Sequence, residues 1–394
     1  MTEPPPLALY VHFPWCVKKC PYCDFNSHAL QGELPESAYL EALERDLASQ
    51  CAALAGRQIS SVFLGGGTPS LFSAGAIARV LSSARAQLEF AADAEVTLEA
   101  NPGTVERGRF AEYRAAGVNR VSLGAQSFDP RQLATLGRIH SVAETERAGA
   151  ELHAAGLTNF NIDLMYALPG QDVAAALNDI ERALALAPAH LSHYQLTLEH
   201  GTLFAAHPPE LPGDDQAALI LEACQARLME AGFAQYEVSA YARPGFACQH
   251  NLNYWRFGDY LGIGAGAHGK LTLAGAAGIV RSVQWREPRR YLAASPRAIT
   301  RTSVAARDLP FEFMLNALRL RAGFAPASFA ARTGLAWSTV AATVDALVAR
   351  GLLELAGGSC RTSALGFAFL NDVVMAFLPQ STVTRELSAL STAC

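Results

Sequence analysis

Short apolar segments alternate with longer amphipathic ones through the first 235 residues, and this alternation is the strongest constraint on the fold. Six segments are β-prone, and several of them are apolar almost throughout, as parallel strands buried on both faces are. They span residues 7–13, 61–64, 95–99, 120–123, 160–165 and 192–198. The segments with helical periodicity span residues 36–54, 74–88, 105–116, 142–155, 174–187 and 214–231. Six strand–helix units predict an α/β fold with a parallel sheet, arranged as a partial (β/α)6 barrel with its site at the carboxyl ends of the strands.

The composition is that of a folded protein with a weak net charge. Hydrophobic residues make up 51% of the 394 positions and charged residues 17%, which excludes a disordered chain. The net charge of −5 excludes a protein that holds nucleic acid mainly through a positive field. No signal peptide is visible and no apolar run approaches 18 residues, so no membrane span is expected. We therefore expect a cytoplasmic protein with reduced cysteines.

Three of the eight cysteines, Cys16, Cys20 and Cys23, follow the first predicted strand within eight residues of one another. A zinc site is one interpretation, with His12 or His28 as the fourth ligand. A thioredoxin-like pair at Cys20 and Cys23 is another, but it leaves Cys16 unexplained. A [4Fe–4S] cluster is the third: three thiolates would leave one iron open to a small molecule.

The spacing Cys-x-x-x-Cys-x-x-Cys, with Tyr22 directly before the third cysteine, resembles the signature of radical S-adenosylmethionine proteins. That resemblance implies a [4Fe–4S] cluster on Cys16, Cys20 and Cys23, with S-adenosylmethionine bound to the fourth iron. It also implies a partial (β/α)6 barrel, in agreement with the six units counted from the sequence.

Five further motifs occur in order and resemble the oxygen-independent coproporphyrinogen III dehydrogenase family. They are Tyr10-Val-His-Phe-Pro-Trp-Cys16, Gly65-Gly-Gly-Thr-Pro69, Glu99-Ala-Asn-Pro-Gly103, Gly124-Ala-Gln-Ser-Phe128 and Leu136-Gly-Arg-Ile-His140. A glycine turn exposes backbone groups that can bind an ammonium and a carboxylate, and an arginine can pair with the same carboxylate. The resemblance implies S-adenosylmethionine contacts at Tyr10, Tyr22, Gly66, Gly67, Thr68, Glu99, Gln126, Arg138 and Asp163.

Two departures separate the chain from the catalytic dehydrogenases. Those enzymes have a further cysteine two residues after the third, where this chain has Phe25, and a longer segment before the position of Tyr10. Both departures resemble the haem chaperone subgroup of the same family. A second motif agrees, because His250, Asn251, Tyr254 and Trp255 match the His-Asn-x-x-Tyr-Trp haem-binding pattern of that subgroup.

His250 is the first candidate for the haem iron, since neutral imidazole is a common axial ligand. Tyr254 and Trp255 offer flat faces for a porphyrin and polar tips for its propionates. The alternative is a core aromatic pair beside a hydrogen-bonded histidine. Cys248 and His268 are weaker candidate ligands.

The chain divides into four predicted regions. Residues 1–235 form the barrel, 236–305 a connecting segment with the haem motif, 306–380 a winged-helix-like domain and 381–394 a tail. Residues 308–380 contain five arginines, five acids and no lysine, so this winged helix is not expected to bind DNA.

The leading hypothesis is a haem chaperone that binds a [4Fe–4S] cluster, S-adenosylmethionine and haem and delivers haem to target proteins. The first alternative is an oxygen-independent coproporphyrinogen III dehydrogenase, which decarboxylates two propionates oxidatively. The second is a zinc-dependent regulator with a winged helix. Expected partners are haem-accepting proteins and a haem or electron donor, but no nucleic acid; a homodimer and peripheral membrane contact stay open.

Overall fold

A computed structural model describes residues 4–54, 56–104, 109–273, 278–294 and 299–379. Its strands are β1 Leu7–Phe13, β2 Trp15–Cys16, β3 His28–Ala29, β4 Gln58–Gly66, β5 Glu89–Ala100, β6 Arg120–Gln126, β7 Phe160–Tyr166, β8 His190–Gln195, β9 Ala234–Gln235, β10 Ala240–Ala242, β11 Asp259–Ile263, β12 His268–Thr272, β13 Ile279–Val283, β14 Thr300–Ser303, β15 Leu353–Ala356 and β16 Ser359–Thr362. Its α-helices are α1 Glu36–Cys51, α2 Ala74–Gln87, α3 Arg109–Ala115, α4 Pro130–Thr135, α5 Val142–Ala154, α6 Val173–Ala185, α7 Leu203–Ala206, α8 Asp214–Glu230, α9 Gln249–Trp255, α10 Pro288–Ala293, α11 Leu309–Ala317, α12 Pro326–Thr333, α13 Ser338–Ala349, α14 Ala364–Ala368 and α15 Leu370–Met375.

The six predicted strands are present and lie side by side in chain order, β1-β4-β5-β6-β7-β8, with every adjacent pair parallel. The predicted α/β fold is therefore confirmed. Side chains of β1 and β7 are buried at nearly every position, as expected for strands covered on both faces. The start of the third predicted helix, residues 105–108, lies outside the described residues.

Further strands extend this sheet on both sides, to twelve in all within the described residues. Beside β8 lie the short antiparallel strands β10 and β9. On the opposite side β11 pairs parallel with β1, and β12, β13 and β14 follow as an antiparallel meander. Much of the predicted connecting segment therefore continues the barrel sheet.

Strand β11 carries a buried charge that is paired. Asp259 has no exposed surface, and its carboxylate lies 2.9 Å from Nη1 of Arg57 and 3.2 Å from Nζ of Lys270. The same ammonium donates hydrogen bonds to the carbonyl groups of Phe257 and Gly258. These contacts satisfy the ions where solvent cannot, which allows a strand that carries a charged residue to lie inside the sheet.

The predicted winged-helix pattern is also present, as helices α11, α12 and α13 followed by the hairpin β15–β16 around its own apolar core. Two details differ from what the sequence predicts, which is a helix capped by Ser338 and a single final helix over residues 364–378. Ser338 is the first residue of α13 and does not cap it, because Trp337 already has helical dihedral angles. The final helix is divided into two short helices, since the backbone leaves the helical region at Phe369. The tail, residues 381–394, lies outside the described residues.

None of the helices described is both long enough and apolar enough to cross a lipid bilayer.

Candidate functional site

The three clustered cysteines lie in one loop at the carboxyl end of β1. Strands β2 and β3 pair with each other and close this loop, which holds Cys20 and Cys23. All three thiols are free and partly exposed, and all three line one cavity of about 150 Å³. The predicted convergence of the cysteines is therefore present in the structure.

Each cysteine has a polar neighbour. Nη1 of Arg138 donates to Sγ of Cys20 at 3.7 Å, and Cys23 lies 3.5 Å from the Ser27 hydroxyl. Cys16 is hydrogen-bonded to the Thr68 side chain, while burial raises the pKa of its thiol. These donors suit sulfur atoms that carry negative charge, such as cluster thiolates.

The geometry of this loop favours a cluster over a single metal ion. In the described part of the chain, no three histidine, cysteine or acidic side chains converge on one ion position. A [4Fe–4S] cluster has no such requirement, because each thiolate binds a different iron atom. His12 is also engaged elsewhere: its ring nitrogens lie 2.9 Å from the Tyr10 hydroxyl and 2.9 Å from the carbonyl oxygen of Asn26.

The glycine turn after β4 forms the next wall of the cavity. The N–H of Gly67 donates to the carbonyl of Phe13 at 2.7 Å, and the N–H of Thr68 donates to that of Trp15 at 2.8 Å. A Cβ on Gly67 would lie 2.6 Å from the oxygen of Trp15, so this turn can approach the cysteine loop only without a side chain. Gly66 has a φ of 112°, which favours glycine.

Two half-buried carboxyl groups follow, on the strands β5 and β7 that flank β6. Burial, with a smaller contribution from the charge of Asp163, raises the pKa of Glu99 to about 7. Asp163 accepts hydrogen bonds from Ser122 at 3.2 Å and from Asn161 at 2.8 Å. Burial raises the pKa of Asp163 as well. Among the described residues no cation pairs with Glu99, so its carboxyl group suits a ligand that brings an ammonium.

The opposite wall has groups suited to a carboxylate or ribose. Nη2 of Arg138 donates to the carbonyl of Gly124 at 2.8 Å, whereas its buried Nε has no hydrogen-bond partner. Gln126 has a φ of 70° and accepts a 2.7 Å hydrogen bond from the Tyr194 hydroxyl. Arg138 lines the cavity, where its guanidinium can pair with a bound anion.

The structure brings together eight of the nine residues predicted to contact S-adenosylmethionine. These eight line the cysteine cavity: Tyr22, Gly66, Gly67, Thr68, Glu99, Gln126, Arg138 and Asp163. Tyr10 lines an adjoining cavity instead. Tyr194 and Ser122 also line the first cavity and escaped the sequence analysis. Ser122 lies near the end of the predicted strand 120–123, which is a signal that could have found it, whereas Tyr194 lies inside the predicted strand 192–198.

The predicted haem motif lies on helix α9, where its side chains face different surroundings. His250 is 1% exposed, and its ring nitrogens lie 3.2 Å from the Ser61 hydroxyl and 3.0 Å from the Tyr254 hydroxyl. Its ring stacks on Phe63, and burial lowers its pKa to about 3. Trp255 packs under the guanidinium of Arg319, 4.2 Å from the ring centre. Asn251 is partly exposed.

Tyr254 of this motif lines the second cavity, which has a volume of about 400 Å³. Phe25, Gly66 and Glu99 belong to the walls of both cavities. The two cavities are therefore neighbours, separated by the cysteine loop and the glycine turn.

Comparison with known proteins agrees with this geometry. Residues 10–183 match the family model of the Radical SAM superfamily, and residues 304–369 match that of the HemN C-terminal domain. The chain is 48% identical to heme chaperone HemW of Escherichia coli over 380 residues, which cover 96% of this chain and 100% of that protein. It is 45% identical to heme chaperone HemW of Haemophilus influenzae over 96% of this chain and 100% of that protein.

A more distant relative and a solved structure extend the comparison. Radical S-adenosyl methionine domain-containing protein 1, mitochondrial, of Mus musculus is 37% identical over 95% of this chain and 87% of its own length. The structure of coproporphyrinogen III oxidase (HemN) from Escherichia coli superposes with a TM-score of 0.80 at 24% identity, over 95% of this chain and 90% of that one. This likeness confirms the fold. The chain belongs to the radical SAM superfamily and, within it, to the family of the heme chaperone HemW.

Proposed function

We propose that this protein is a haem chaperone that binds haem and passes it to haem-accepting proteins. The observation that carries the proposal is the pair of adjoining cavities, one lined by cysteines and one by aromatic side chains. The names of the full-length relatives support the same function. We further propose the cytoplasm as its compartment, since clustered free thiols need a reducing environment.

In this proposal Cys16, Cys20 and Cys23 hold a [4Fe–4S] cluster, and the walls described above hold S-adenosylmethionine. When bound, this pair supplies one-electron reduction of the sulfonium. Arg138 orients the ligand carboxylate through its guanidinium, and Glu99 offers a carboxylate to the ligand ammonium. The turn at Gly66 and Gly67 binds through backbone groups.

One experiment tests this function against both alternatives. Anaerobically reconstituted protein is titrated with haem while the Soret band is followed, and the loaded protein is then mixed with an apo-acceptor protein. The same preparation is incubated with coproporphyrinogen III, dithionite and S-adenosylmethionine. We expect a saturable Soret shift, transfer of haem and no protoporphyrinogen. Absence of haem binding would remove the proposal, and product formation would favour the dehydrogenase.

Metal analysis of the same sample tests the zinc-dependent regulator. Iron and sulfide in about equal amounts support the cluster, as expected for a [4Fe–4S] centre, whereas zinc without sulfide would support the regulator. The homodimer stays a prediction, and light scattering of the reconstituted protein checks it.

A further inference from the structure

The second cavity has a wall that the cofactor contacts do not use. Its open side carries His268 and Arg286, and its inner side carries the rings of Tyr254 and Tyr260. We propose, on the basis of the chaperone function above, that this cavity is the haem site. In it the imidazole of His268 binds the iron and the guanidinium of Arg286 pairs with a propionate.

The backbone of His268 is held in the sheet, while its imidazole ring forms no hydrogen bond with the described residues. It is the first residue of β12 and pairs with Val283 of β13 in the antiparallel meander. Its side chain is exposed, and neither ring nitrogen has a hydrogen-bond partner among the described residues. A neutral imidazole on a rigid strand, open to a cavity, is suited to bind haem iron from outside.

Two other histidines near this cavity, His12 and His250, are occupied. Both ring nitrogens of His12 are engaged, by Tyr10 and by the backbone of Asn26. His250 could reach an iron atom only by giving up its contact with Tyr254 or with Ser61. The geometry instead gives His250 a positioning role, because its ring nitrogen holds the hydroxyl of Tyr254, whose ring faces the cavity.

The remaining wall suits a porphyrin. Tyr254 and Tyr260 contact each other edge to face with ring centres 4.5 Å apart, and Phe25 adds a side chain that is 62% exposed. Such rings can cover an apolar macrocycle. Arg286 is the one cation among the lining residues, and no carboxylate of the described chain forms an ion pair with it. It is therefore available to a propionate.

The position of the cavity links the haem site to the cofactor site. Phe25, Gly66 and Glu99 face both cavities, and the backbone N–H of Gly66 is bonded to the carboxyl group of Glu99. A ligand in the first cavity therefore contacts the wall of the second. We expect S-adenosylmethionine to change haem affinity, and haem to change S-adenosylmethionine affinity by the same factor.

The test compares His268→Ala and Arg286→Ala with wild type and with His207→Ala, which removes an exposed histidine that lines neither cavity. Each variant is reconstituted anaerobically, its cluster absorption and thermal unfolding are checked, and ferric haem is titrated by Soret absorption and electron paramagnetic resonance. We expect His268→Ala to weaken haem binding by at least about tenfold, the lower end of losses at outer-shell partners of metal ligands. We expect added imidazole to restore the ligand spectrum, and His207→Ala to match wild type.

Three results decide the inference. If wild type binds haem and His268→Ala keeps both its affinity and its spectrum, this inference is wrong although the chaperone function stands. If His250→Gln alone loses the ligand spectrum, the iron ligand is His250, as the sequence motif predicts. If wild type binds no haem, the proposed function itself fails.

Arg286→Ala should weaken haem binding without changing the ligand spectrum, and a changed spectrum would contradict the assignment of Arg286 to a propionate.

Discussion

Gly66 donates its backbone N–H to Oε2 of Glu99 across 2.9 Å, which joins the turn after β4 to the end of β5. The two residues form a common wall of both cavities. Gly66 supplies a backbone group at a positive φ, and Glu99 supplies a carboxyl group. Substitutions at the two positions therefore test separately what each contributes to stability and to S-adenosylmethionine binding.

Gly66→Ala should destabilise the protein and weaken S-adenosylmethionine binding. A Cβ at this position would overlap the imidazole ring of His12, in a backbone conformation that side chains rarely adopt. We expect a loss of about 2 kcal/mol or more in the free energy of unfolding, measured by denaturant titration. Gly170→Ala is the matched control, because it has a positive φ with open space around the new Cβ. Equal losses in both variants would contradict the crowding argument.

Glu99→Gln should remove a pH dependence from S-adenosylmethionine binding. Since the pKa of Glu99 is about 7, its carboxyl group is mostly protonated at pH 6 and mostly charged at pH 8. Affinity for a ligand that brings an ammonium should therefore rise with pH in wild type. We expect the variant to bind about tenfold more weakly at pH 8, as loss of a charged hydrogen bond implies. Calorimetry at both pH values checks this, and equal pH slopes in the two proteins would speak against Glu99 as the ammonium partner.

Cys20→Ser should abolish the cluster without unfolding the chain. Cys20 is partly exposed and forms no disulfide, so its replacement leaves little buried surface changed. We expect loss of the brown absorption and of most bound iron and sulfide after reconstitution, measured by spectroscopy and metal analysis. Cys51→Ser serves as the control, since Cys51 is also free and partly buried but lies away from the loop. Full cluster content in Cys20→Ser would exclude this residue as a ligand.

Asp179→Ala should shift the backbone of Gln126 through the loss of hydrogen bonds to Ser127 and Phe128. The carboxyl group of Asp179 accepts hydrogen bonds from the Ser127 hydroxyl at 2.8 Å and from the N–H of Phe128 at 2.6 Å. These bonds fix the backbone directly after Gln126, whose φ is 70°. We expect the free energy of unfolding to fall by about 2–4 kcal/mol near pH 5, because buried polar groups lose their partner. S-adenosylmethionine affinity should fall as well.

The same variant gives a pH signature. Burial raises the pKa of Asp179 from 3.8 to about 6. A raised carboxyl pKa contributes stability that is complete below pH 4 and is lost as the pH rises through 6. The difference in the free energy of unfolding between wild type and Asp179→Ala should therefore decrease by on the order of 2 kcal/mol from pH 4 to pH 8. A difference that stays constant or grows with pH would show that another group controls the pH dependence of stability here.

The sequence predicted the six central strands and many of the residues that line the cysteine cavity, because strand burial and cysteine spacing are local signals. It did not predict that β11 lies beside β1. That strand contains Asp259 and a glycine, and the partners that satisfy the buried carboxylate, Arg57 and Lys270, lie elsewhere in the sequence. Tyr194 was missed since the predicted strand ran to residue 198, whereas β8 ends at Gln195 and places this hydroxyl at the strand end. The sequence grouped Tyr10 with the residues of the cysteine cavity, but Tyr10 lines the adjoining cavity. No sequence pattern distinguishes the two cavities.

The pairing of β11 with β1 limits how cargo can leave the protein. Five residues of β1 are in register with β11, so the segment that carries the aromatic wall is bonded to the strand that leads into the cysteine loop. Swinging that segment away as a rigid body would break this ladder and separate Asp259 from Arg57. Haem exchange is therefore expected to proceed through the mouth of the cavity, by small movements of side chains such as Phe25. A recipient protein would dock at that mouth, without opening the sheet.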